Sequence, residues 1–119
     1  MASRDPAADF ERQLLAWLHI TFGILPEGRQ GTNAEWWEIE IDGAPVAIGL
    51  VRPDGREPQP EWDWLLRVEQ SEPLIFLSLV ADHFEEGAGL RRRMPNGRIR
   101  VQFKSTALRH PFVDQIEGT

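Results

Sequence analysis

The residues of this 119-residue chain best suited to chemistry are six cations crowded into its last third. They are Arg91, Arg92, Arg93, Arg98, Arg100 and Lys104, with no carboxylate between them. Guanidinium groups at this density can grip phosphates. On that reading the run 91–104 is a nucleic-acid-binding ribbon, and an exposed Trp36 adds a stacking surface for a single strand. The same cations can instead neutralise carboxylates of their own fold. Glu38 and Glu40 project from one side of their segment, as Arg98 and Arg100 do from theirs, so two strands sharing a face would pair them. Residues 1–87 carry six arginines against seventeen carboxylates, a balance of −11, while residues 88–119 carry seven cations against two acids, a balance of +5. The total of −6 disfavours general binding to DNA or to a membrane surface and favours the internally paired reading.

Catalysis has less to stand on. The three histidines are His19, His83 and His110. A metal site from His83, Glu85 and Glu86 is conceivable, but near neighbours in sequence seldom converge on one ion, and the chain has no HExxH-like pair. The expectation is no metal and no cofactor. Asp63 stands between Trp62 and Trp64, an apolar setting that would raise its pKa if it were buried, although strand alternation places it on the solvent side. There is no nucleophile elbow, Walker loop or dinucleotide fingerprint, and no cysteine to serve as nucleophile, disulfide or thiolate ligand. We therefore expect no enzymatic activity.

The adjacent tryptophans carry more information. Neighbouring residues of a strand face opposite sides, so only one of Trp36 and Trp37 can enter a given core. If Trp37 is core, Trp36 is left for a partner or for cover by the loop 26–33 or the C-terminal tail. With Glu35, Glu38 and Glu40 beside it, Trp36 is the candidate anchor of a protein-binding patch.

These residues need elements to position them. Asp5-Pro6 is a helix start, an N-cap acceptor followed by proline at the first helical position. Phe10, Leu14, Trp17, Leu18 and Phe22 then form one apolar stripe at helical spacing, and Gly23 and Pro26 end the helix at about residues 6–22. Truncating Trp17 should damage folding before function. Trp37, Ile39 and Ile41 alternate with polar positions over about 35–41, Asp42-Gly43 makes a turn, and Val46, Ile48 and Leu50 continue as a strand over about 46–51. Residues 62–69 alternate as a strand, although Pro60-Glu61 would also open a helix. The run 74–81 is apolar on both faces and reads as a central covered strand. Pro95-Asn96-Gly97 predicts a hairpin with Asn-Gly at its turn, flanked by arms at about 90–94 and 98–104. A tail begins near residue 110.

The assembled expectation is an α+β fold in a single domain, an N-terminal amphipathic helix packed on an antiparallel sheet of five or six strands. An N-terminal helix followed by antiparallel strands, with Asp42-Gly43 between the first two, resembles the first half of the type III secretion chaperone fold. That resemblance implies a protein-binding role and a long helix between later strands, which only residues 60–70 would supply. The start of the chain lacks a signal-peptide pattern and no run reaches the length of a membrane span, so the expected location is the cytoplasm. The function expected is a small acidic protein-interaction module of the adaptor, secretion-chaperone, immunity or phage-inhibitor kind, its partner another protein, with a homodimer through an exposed sheet edge permitted.

Overall fold

The computed structural model describes residues 6–24, 36–51 and 64–113. Helix α1 spans Pro6–Phe22. It is followed by strands β1 (Trp36–Ile41), β2 (Ala44–Val51) and β3 (Leu65–Gln70), helix α2 (Ile75–Ala81), strands β4 (Leu90–Arg93) and β5 (Ile99–Lys104), and a short 3-10 turn at Ser105–Ala107. The five strands form one antiparallel sheet in the order β1-β2-β3-β5-β4. Both helices contribute to the same core as one face of that sheet, giving a two-layer α+β fold.

Strand alternation decides which residues meet the helices. Trp37, Ile41, Val46, Ile48, Leu50, Leu66, Val68, Ile99, Val101 and Phe103 are buried together with Phe10, Leu14, Trp17 and Leu18 of α1. Aromatic rings make much of the join. Phe10 stacks on Trp64 with centroids 3.8 Å apart, and Trp17 meets Phe22, Phe76, His83 and Phe112. Phe112 is buried in this cluster, so the chain near residue 110 is packed rather than a loose tail.

The segment 74–81, expected as a sixth strand, is a helix over Ile75–Ala81. Its burial is helical: Phe76, Leu77 and Val80 are inside, while Ile75, Ser78 and Leu79 are exposed. Leu74 at the N-cap has no side-chain capping bond. The cap comes from elsewhere: the buried Gln70 side chain of β3 accepts a hydrogen bond from the Leu77 backbone N–H at 3.0 Å. The alternation at 62–69 yields β3 over residues 65–70, and Trp62 and Asp63 lie outside the described residues. The long helix implied by the chaperone resemblance is not supplied by residues 64–70, and α2 is only seven residues long.

The two hairpin turns exchange the roles the sequence suggests. Asp42 and Gly43 both take positive φ, +52° and +81°, in a two-residue loop closing Ile41 onto Ala44, which is the geometry expected of Asn-Gly. At 94–97 the Gly97 N–H instead bonds the Met94 carbonyl at 2.9 Å, and only Gly97 has positive φ. Pro95 and Asn96 are therefore the central pair of a four-residue turn, with Gly97 as the left-handed residue that rejoins the strand.

Candidate functional site

Strand register assembles the charged residues on the sheet face opposite the helices. One row crosses the sheet as Glu38, Ala47, Glu69, Arg100 and Arg92, on β1, β2, β3, β5 and β4 in turn. A second row runs Trp36, Gly49, Arg67, Gln102 and Leu90. Arg100 is bound to Glu69 through Nε at 2.7 Å and a terminal nitrogen at 2.5 Å, both to the same carboxylate oxygen. Glu69 is only 4% exposed, so its charge is effectively inside the protein and needs that partner. Arg98 reaches Glu38 with two hydrogen bonds of 3.1 and 3.2 Å. The hydrogen bond to Glu38 holds its guanidinium above the ordinary value, against partial burial. Among the described residues Arg67 has no carboxylate contact of this kind, and it donates to the Gln102 side chain at 3.2 and 3.3 Å. Burial first, then the charge of Arg100, lowers its pKa, with Glu69 opposing.

The pairing expected of Glu38 and Glu40 with Arg98 and Arg100 is thus half realised. Arg98 meets Glu38. Arg100 meets Glu69 rather than Glu40, because β2 and β3 lie between β1 and β5 and put a nearer carboxylate beside it. Glu69 sits on the open face and is nonetheless buried.

The remaining cations separate. Arg93 stands 3.8 Å from Glu72, a loose exposed contact. Arg91, Arg92 and Lys104 are exposed, and among the described residues no carboxylate lies in contact with any of them. They do not form one groove: Arg91 pairs in register with the buried Val101, while Arg92 pairs with Arg100 on the opposite face. Of the proposed protein-binding set, Glu38 is engaged by Arg98 and Glu40 is exposed. Trp36 sits in β1 opposite Gly49, and Glu35 lies outside the described residues. Trp37 is the member of the tryptophan pair that enters the core.

The histidines do not gather. His19 and His110 are exposed, while the His83 ring stacks on Phe112 at 4.0 Å and lies edge-on to Trp17 at 5.5 Å. Its Nδ1 is 3.1 Å from the His110 carbonyl oxygen. Among the described residues no three His, Asp or Glu side chains are grouped so as to hold a metal ion, and no helix is long and apolar enough to cross a membrane.

Sequence patterning missed an apolar groove of about 330 Å³ between the end of α1, the β1–β2 turn and α2. Phe22, Ile41, Ala44, Pro45 and Phe76 line it, and Ile75 and Leu79, one helical turn apart, stand at its border while 65% and 40% exposed. Asp42 and Glu72 supply carboxylates to its lining, which has no cation among the described residues. Had residues 74–81 been read as a helix, the i, i+4 pair Ile75 and Leu79 outside the buried stripe would have signalled it.

Comparison with protein-family models, with curated proteins and with solved structures finds no significant match to this chain.

Proposed function

We propose that this protein is a non-enzymatic interaction module whose groove between α1, the β1–β2 turn and α2 receives a segment of another protein. The occupant is a short polypeptide with one or more large apolar side chains flanked by lysine or arginine. One observation carries the reading: an apolar hollow bordered by two exposed aliphatic residues and edged by carboxylates, in a chain of net charge −6. A large aliphatic side chain left in water forgoes about 1.5–3 kcal/mol of burial, so Ile75 and Leu79 beside a ready-made hollow are a source of binding energy. The volume sits at the low end of the roughly 300–1,000 Å³ usual for ligand sites, which suits side-chain anchors rather than a large cofactor. Asp42 and Glu72 favour cations on the incoming chain.

The nucleic-acid reading is weaker. Arg98 and Arg100 are committed to internal carboxylates, and Arg91 and Arg92 diverge to opposite faces.

The test uses a fluorescently labelled peptide with a Leu-Leu anchor between lysines, titrated against the whole protein in low salt. Binding should weaken by about tenfold in Ile75→Ser/Leu79→Ser, roughly 1.4 kcal/mol, with the melting temperature unchanged because both side chains are already exposed. Equal binding by that variant, or by a peptide with glutamates in place of lysines, defeats the reading.

A further inference from the structure

The row of charges across the open face ends unbalanced. From β1 inward it runs Glu38, Ala47, Glu69, Arg100 and Arg92. Glu69 is taken by Arg100, and Glu38 by Arg98. Arg92 is directly opposite Arg100, a like-charge cross-strand pair of the kind that destabilises a sheet. It lies on β4, which among the described residues pairs with β5 alone and forms one edge of the sheet, with all four residues exposed. A carboxylate arriving on the far side of Arg92 would complete the row.

The backbone of that edge is equally unfinished. The Met94 N–H bonds the Arg98 carbonyl at 2.8 Å. In an antiparallel pair, hydrogen-bonded and non-bonded positions alternate, so Arg92 joins the ladder to β5 while Arg91 and Arg93 turn both N–H and C=O outward. On the helix-side face, Arg91 borders a hollow of about 530 Å³ lined by Asp82, Glu85 and Glu86 as well as by Val101 and Phe103. Cations of β4 and these carboxylates oppose one another there, so that face favours an uncharged neighbour over an acidic one. A nucleic acid does not fit this edge. Its backbone offers acceptors but few donors for the outward carbonyls, and it cannot confine its charge to one face.

We infer that β4 is an acceptor edge for an extended segment of a partner protein in which acidic and uncharged residues alternate. The segment adds as a sixth strand, with a carboxylate beside Arg92 and uncharged side chains toward the hollow. This surface is distinct from the groove between α1, the β1–β2 turn and α2, and the inference does not depend on that groove.

The test titrates the whole protein with a labelled peptide of alternating Glu and Val, its counterpart of alternating Lys and Val, and a twelve-nucleotide single-stranded DNA. Backbone amide exchange is followed by NMR. The glutamate peptide should bind and slow exchange at Arg91 and Arg93. Arg92→Glu should weaken it about tenfold or more and confer binding of the lysine peptide. The variant turns the repulsive contact with Arg100 into an attractive one, so the fold should be retained, and its amide spectrum verifies this. Four outcomes overturn the inference: no binding of the glutamate peptide, binding of the DNA in its place, binding without slowed exchange at Arg91 and Arg93, or unaltered binding by Arg92→Glu. So does concentration-dependent self-association that Arg92→Glu abolishes, since the edge would then serve a second copy of this chain.

Discussion

Arg100→Ala tests whether the basic hairpin belongs to the fold. The substitution removes both contacts to Glu69 and leaves a carboxylate that is 4% exposed without its counter-ion. Breaking a fully buried pair costs about 3–5 kcal/mol. Two features lower that figure. The Arg100 side chain is itself 23% exposed, so water enters part of the space it leaves. Arg67 lies two residues from Glu69 on the same face, feels the charges of both Arg100 and Glu69, and has no carboxylate contact among the described residues. With Arg100 gone it can swing toward Glu69. We therefore expect a loss of about 2 kcal/mol for Arg100→Ala. Arg67→Ala/Arg100→Ala should lose about 3–5 kcal/mol, more than the two single losses added together. Replacing the pair by apolar residues, as in Glu69→Leu/Arg100→Met, should recover most of the stability. Urea unfolding followed by tryptophan emission supplies all four free energies. A loss under about 0.5 kcal/mol for Arg100→Ala would show the pair to be an ordinary solvated contact, and with it would fall the argument that these arginines are structural.

Four further outcomes follow from local geometry. Gln70→Leu should cost about 1–3 kcal/mol by stripping the cap from Leu77, and amide exchange in α2 should quicken more than in the strands. Gly89→Ala should cost about 1–3 kcal/mol in a thermal melt, because a Cβ there would stand 2.5 Å from Val101 Cγ1 and 2.9 Å from Phe103 Cε1. In the β1–β2 turn, Gly43→Ala should lose about 1 kcal/mol through its φ of +81°, whereas Asp42→Gly at φ +52° should be neutral or better by denaturant titration. Trp17→Ala should lose about 3–5 kcal/mol and broaden the amide spectrum, since its ring meets Phe22, Phe76, His83 and Phe112 at once.

What could be read from the chain and what could not divide on physical lines. Helix α1 announces itself because its start signal, its stripe and its stop are all local: Asp5-Pro6, Phe10 to Phe22, Gly23. The alternation in β1, β2, β3 and β5 is legible for the same reason. Helix α2 is not. A run of eight residues, apolar but for Ser78, fits a covered strand or a short helix equally well, and its cap is Gln70 on the strand before it rather than a serine or aspartate at its own N-terminus. The 94–97 turn misled because Asn-Gly was read without Pro95, whose fixed φ suits the first central position of an ordinary turn. Strand order was out of reach, and with it the partner of Arg100. That Glu38 would find an arginine was readable from charge alone, whereas the choice between Glu40 and Glu69 depends on which strand lies beside β5. The groove at Ile75 and Leu79 was hidden by the same misreading of 74–81.

The ring cluster around His83 gives the protein an internal optical gauge. The indole of Trp17 lies edge-on to the imidazole, and Phe112 stacks on the imidazole while also meeting the indole at 4.9 Å. Indole emission moves to longer wavelength when water reaches the ring. The share of the emission that comes from Trp17, one of five tryptophans, therefore reports whether the chain around residue 112 is still seated, without any label being attached.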